Sequence, residues 1–231
     1  MIATKEDPAA PPVFNAATRA VASTLGVLVG IGSIDHGLLE CLQGSHPTPG
    51  LIVNALGSGY GWTAWTEGGE GAFTLIPNFL FTGIVATVLG LAIILWSLRF
   101  IQTRHGPVVF LFLGVASFLS GGGVAQIVLF TLAWGVATRI RASLNFWSRL
   151  IPTAVRPALG RIWPWGLGAA CVLFLAALEI AIVGYVPGVS EQTQLLHICW
   201  TILAAALAFY LLSMLSGFAH DIEVRNRVER G

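Results

Sequence analysis

Charge is what this sequence has least of. Only 10% of its 231 residues are Asp, Glu, Lys or Arg, against about 25% in an ordinary soluble domain. A chain this poor in charge cannot keep the surface of a water-soluble fold of its size wet. Lysine is nearly missing: Lys5, in the N-terminal tail, is the only one. That excludes a P-loop, which needs a Gly-Lys-Ser/Thr step opening a helix, and Gly57-Ser58-Gly59-Tyr60-Gly61 lacks the spacing of a dinucleotide fingerprint. The net charge is +1 with no basic cluster beyond ordinary loop arginines, so the electrostatic footprint that nucleic acid requires is missing as well. Cys41, Cys171 and Cys199 form no Cys-x-x-Cys pair, which argues against a dithiol redox motif or a cysteine zinc site and leaves only a Cys41–Cys199 disulfide open. There is no His-Glu-x-x-His. The first twelve residues, MIATKEDPAAPP, are long, Pro-rich and mixed in charge, unlike the basic start of a cleaved signal peptide, so the first apolar run is read as a retained anchor.

What the sequence has in quantity is apolar length. Hydrophobic residues make up 55% of the chain and the mean hydropathy is +0.80. Runs long enough to cross about 30 Å of hydrocarbon as helix fall near 20–41, 77–99, 166–187 and 195–218. The stretch 106–138 is too long for one crossing, since as a single helix it would reach about 48 Å, and Ser120-Gly121-Gly122-Gly123 interrupts its middle. Short cytoplasmic loops collect Lys and Arg. Lys5 and Arg19 precede the first run, Arg99 and Arg104 follow the second, Arg139, Arg141, Arg149, Arg156 and Arg161 precede 166–187, and Arg225, Arg227 and Arg230 follow the last. The loops 42–76 and 188–194 hold none. All of these charges fall on one side only if 106–138 crosses twice, as short helices over about 106–120 and 124–138 joined at Gly121–Gly123. The sequence therefore predicts one all-α domain over 1–231, a bundle of six transmembrane spans with both termini cytoplasmic; a re-entrant hairpin would give the same sidedness.

With that sidedness, Asp35, Glu40, Glu67, Glu70, Glu179 and Glu191 lie toward the outer side, together with His36, His46 and His197. An ionisable group at membrane depth costs roughly 2.5–3.5 kcal/mol on insertion scales, so one that persists faces protein or a watery cavity. Glu179 sits deep in the run CVLFLAALEIAIVGYV with no basic residue in its own helix. His36 and Glu40, four apart, share a helix face, with Asp35 about 100° away. Gln126, Asn78 and His197 start or follow segments whose outer ends could meet that face. His36, Glu40 and His46, with Asp35 or Glu70, are the candidates for a divalent metal ion. The bland alternatives are that 35–43 is the wet end of its helix and that Glu179 is a carboxyl hydrogen-bonded between helices. Ala22, Gly26 and Gly30, at four-residue steps, form a small-residue stripe for helix packing. The loop 138–165 is basic and aromatic, as in ordinary topology signals or a segment lying on an anionic leaflet. Trp62 and Trp65 beside EGGEG could form an interfacial flap.

Six helices with both ends inside are similar in number to rhomboid-type intramembrane serine proteases. Ser120-Gly121 and His197 would be the matching residues, but Phe118-Leu119 precedes them where the family's motif has Gly-x. The likeness is one of helix count. The membrane subunits of ATPase-driven exporters are comparable only in the same sense. The expectation is thus a multi-pass protein of the cell membrane that binds or transports a cation or small polar ligand in an outward-facing cavity built from Asp35, His36, Glu40, Gln126, Glu179 and His197. The alternatives are a non-catalytic membrane subunit with a protein partner or a second copy, and, third, an intramembrane enzyme using His36 or His197.

Overall fold

The computed structural model describes residues 14–54, 71–124 and 126–228. The elements in order are α1 (Ala16–Leu42), β1 (Ile52–Asn54), β2 (Gly71–Phe73), α2 (Phe79–Arg99), α3 (Gly106–Phe118), α4 (Gln126–Ala137), α5 (Asn145–Leu150), α6 (Arg156–Leu159), α7 (Trp163–Val183) and α8 (Gln192–Val228). Four of them, α1, α2, α7 and α8, are long and apolar enough to cross a membrane, and α3 and α4 are shorter apolar helices. Their ends carry ordinary stop and start chemistry. The Asn78 side chain accepts hydrogen bonds from the Leu80 and Phe81 N–H groups at the start of α2. Pro stands in the first turn of α3, α6 and α7, where a missing N–H costs nothing. Gly184 closes α7 in the left-handed conformation.

α1 is the central helix. Within its apolar window 56% of residues are buried, against 28%, 17% and 22% for α2, α7 and α8, so the other three turn broad apolar faces outward, as a lipid-facing surface requires. α2 runs antiparallel to α1 at close range. A Cβ on Gly30 would stand 2.7 Å from the Gly90 carbonyl oxygen and one on Gly90 equally close to that of Gly30, while Gly37 meets Gly83 and Gly26 meets Ser97. The small-residue stripe is thus a backbone-to-backbone contact. α3 runs parallel to α1, with Phe110 against Gly26 and the Ser117 hydroxyl 2.9 Å from that of Ser33. α4 returns, with Gln126 against Gly32, and just past its end the Ile140 carbonyl accepts the Asn15 N–H at 2.8 Å. The hairpin hinged at the glycines therefore flanks most of α1. α7 and α8 form a second antiparallel hairpin, tied by Ser213 Oγ to the Trp163 carbonyl at 3.1 Å and Cys199 Sγ to that of Ala177 at 3.4 Å.

Every described arginine lies at the end of the bundle where α1 begins and α2 and α8 finish. Asn15 is the hub there: its side chain donates to the Arg139 and Ala142 carbonyls and accepts from Arg225 at 3.0 Å. Arg156 is buried, donates to the Ser148 and Ile151 carbonyls, and lies 3.8 Å from Glu223. The three cysteines are free, so no Cys41–Cys199 bridge exists.

Two features depart from an all-α reading that ends its last helix near 218. First, β1 and β2 pair antiparallel, Ile52 opposite Phe73. The outer edge of β2 does not stay open: the Gly121 N–H donates to Phe73 O at 2.9 Å and the Val124 N–H to Gly71 O at 3.0 Å, so the glycine hinge of α3–α4 extends the hairpin. Second, α8 continues unbroken to Val228, about 55 Å at 1.5 Å per residue, well beyond one hydrocarbon thickness. Its polar last turns hold because they dock: the His220 ring nitrogen lies 3.1 Å from Gly160 O, and Asp221 caps α1. The segment 138–165 folds into α5, α6 and the start of α7 against this extension.

Candidate functional site

At the end opposite the arginines, the first helix presents two adjoining polar environments. The first is closed. Glu40 has 0% exposure and His36 3%, and the glycine hinge is laid directly over both. Gly121 has φ of 95°, a backbone state that side-chain-bearing residues rarely adopt, and a Cβ there would stand 2.6 Å from Glu40 Oε1. A Cβ on Gly123 would reach 2.8 Å from His36 Cδ2, and one on Gly122 would reach 2.8 Å from the Ser117 carbonyl oxygen. Each glycine of the run is therefore needed because a polar group of α1 or α3 occupies its side-chain space. Neither carboxylate oxygen of Glu40 has a hydrogen-bond partner. Thr82 stands beside it but gives its hydrogen to Ser120 O at 2.9 Å, with Thr74 Oγ1 2.6 Å away.

The second environment is open. A cavity of about 460 Å³ lies between α1 and α4 on one side and α7 and α8 on the other, within the range of small-molecule sites. Asp35, His36 and Gln126 line one end of it; its walls include Leu25, Leu28, Leu129, Phe174, Leu203 and Leu207. Gln126 is held by its carbonyl, which accepts the Ser33 hydroxyl at 2.9 Å, while its buried Nε2 has no partner. Tyr210, 3% exposed, also lines the cavity, and its hydroxyl has no partner either. A buried phenol normally finds one.

Of the sequence-predicted residues, Asp35, His36 and Gln126 thus share a cavity. Glu40 does not line it, because the glycine hinge walls it off, and His36 touches both environments. Glu179 lies on the exposed face of α7 and His197 on the exposed face of α8, because the register that buries Ala177 and Ile180 against Leu195 and Cys199 turns both outward. They belong to no common site with the other four. Asn78 is occupied as the cap of α2 and donates to Ser45 Oγ at 3.2 Å. His46 is exposed in the loop after α1. Among the described residues no group of three or more His, Cys, Asp or Glu is placed to hold a metal ion, so His36, Glu40 and His46 do not assemble a coordination shell. Trp62, Trp65, Glu67, Glu70 and the segment 57–61 lie outside the described residues. Tyr210 is the site residue that sequence reasoning missed. The signal was a hydroxyl in mid-run, in LAFYLLSML.

No family model, no curated protein and no solved structure matches the chain. What the fold defines is a helical bundle with four helices of membrane-crossing length and a ligand-sized cavity between its two halves.

Proposed function

We propose that this is a six-span protein of the cell membrane, both termini cytoplasmic, that binds a small molecule at bilayer depth in the cavity between α1/α4 and α7/α8. The observation that carries the reading is the cavity itself: about 460 Å³, with Asp35, His36 and Gln126 among otherwise largely apolar lining residues. Mostly apolar walls favour an apolar body with polar ends over a bare cation. The orientation rests on the arginines, all of which gather at one end of the bundle among the described residues, as cytoplasmic loops do. The six-span count rests on α3 and α4 flanking α1 in opposite directions.

The test is retention. Protein purified into lipid nanodiscs and extracted with solvent should yield a molecule, identified by mass spectrometry, that is enriched over bulk lipid and lost from Ala206→Trp, which fills the cavity. Identical extracts from both proteins would refute the binding role.

A second reading has its own observation. Glu179 is exposed on an otherwise apolar helix face, and an ionisable group there is relieved by a protein neighbour. A membrane partner or second copy covering α7 would be lost in Glu179→Leu, seen as a smaller assembly on gel filtration of solubilised membranes; an unchanged assembly size would remove this reading.

A further inference from the structure

We propose that the segment joining α4 to α7 is a docking surface for the head groups of anionic phospholipids at the arginine end of the bundle. The surface is separate from the cavity and depends only on the long helices crossing a bilayer. Its composition is the first observation. From Gly71 to Leu178 the sequence has no Asp or Glu, and 138–165 holds Arg139, Arg141, Arg149, Arg156 and Arg161. Arg156 is turned inward and neutralised: it is buried, donates to the Ser148 and Ile151 carbonyls and lies 3.8 Å from Glu223. Arg149 and Arg161 are exposed, and among the described residues neither is paired with a carboxylate. Basic side chains left without a protein counter-charge next to a bilayer are attracted to its anionic lipids, and a guanidinium binds phosphate oxygens in a two-bonded fork.

The second observation is the face on which these arginines stand. In α5, Trp147 packs against the core, its ring 4.9 Å from that of Phe218. Phe146, Arg149 and Leu150, at positions i, i+3 and i+4, share the outward face, where Phe146 is 69% and Leu150 59% exposed. Around the start of α7, Arg161 and Trp165 are exposed in the same way, Trp165 at 81%. Large apolar side chains interleaved with arginine are what a segment lying in a membrane interface presents. The third observation is depth. The 21 residues of α7 span about 32 Å, one hydrocarbon thickness, so Trp163 marks the hydrocarbon edge. Ser213 is level with it, its Oγ 3.1 Å from the Trp163 carbonyl oxygen. Phe218 stands five residues further along α8, about 8 Å past that edge, within the head-group layer or at its outer limit. Trp147, and α5 with it, is therefore held at head-group level.

Native mass spectrometry of the protein released from nanodiscs made of equal parts of neutral phosphatidylcholine and anionic phosphatidylglycerol reads which lipid it keeps. The parent should keep phosphatidylglycerol in preference. Arg149→Gln and Arg161→Gln should each lower that preference about fivefold, the scale of one basic side chain at a charged surface, and higher salt should lower it in the parent. Arg149→Lys, which keeps the charge, should keep most of the preference, a rescue that a folding defect does not allow. Arg227→Gln removes the same charge from the end of α8, about 21 Å past the hydrocarbon edge and so beyond the head groups, and should leave the preference unchanged. Equal retention of the two lipids by the parent would overturn the proposal. So would a loss of preference in Arg227→Gln equal to that in Arg149→Gln, which would show an effect of net charge with no docking surface.

Discussion

Asp221 accepts two hydrogen bonds from Thr18, from its N–H at 2.8 Å and its hydroxyl at 2.7 Å, and a third from the Ala17 N–H at 3.0 Å. The first turn of α1 has no cap from its own neighbour, since Asn15 makes no capping bond. The terminal extension of α8 supplies it instead. A carboxylate at a helix N-terminus satisfies orphan N–H groups and complements the helix dipole. The polar end of α8 therefore locks the central helix to the C-terminal hairpin.

Asp221→Ala should accordingly destabilise the protein by about 2 kcal/mol, the upper part of the range for a lost cap. Thermal unfolding in detergent would record it as a lowered midpoint. Because the cavity is lined by α1 only from Thr24 onward, the molecule recovered by solvent extraction below the unfolding transition should be unchanged. A midpoint equal to that of the parent would show that α1 and α8 do not depend on this contact.

Gly121→Ala combines a left-handed backbone with a Cβ placed against the Glu40 carboxylate. The backbone strain alone costs about 1 kcal/mol or more, and the collision adds to it. Glu40→Ala in the same chain should recover the second part and leave the first, a non-additivity measurable by a double-mutant cycle of unfolding midpoints. Strict additivity would mean that the hinge does not rest on Glu40.

Cysteine accessibility tests the crossing count. In a chain with Cys41, Cys171 and Cys199 replaced by Ser or Ala, Ser45→Cys, Val124→Cys and Pro187→Cys should react with an impermeant maleimide in intact cells, and Arg149→Cys only after permeabilisation. Val124→Cys reacting on the same side as Arg149→Cys would mean that α3 and α4 do not both cross.

The long helices were legible because membrane-crossing runs leave an unmistakable apolar signature, and the hinge because three glycines interrupt one of them. The gathering of the arginines at one end was likewise readable from loop charge alone. The site was only partly legible. Asp35, His36 and Gln126 come together because α4 returns beside α1, and that follows from the hinge. Glu40 was separated from them by a close backbone approach that no sequence periodicity encodes. Glu179 and His197 were turned outward by the register of α7 against α8, set by the packing of Ala177 and Cys199 rather than by the polar residues themselves. Asp221 as the cap of α1, and the β-hairpin laid on the glycine hinge, are pairings between segments far apart in the chain, which local pattern does not reveal.

The most direct test of the cavity as a binding site is an electron cryo-microscopy structure in nanodiscs made from native membrane. A discrete density between α1/α4 and α7/α8, in contact with Phe174, Leu203 and Leu207, is the predicted result. An empty gap closed by α7 and α8 collapsing onto α1 would contradict it.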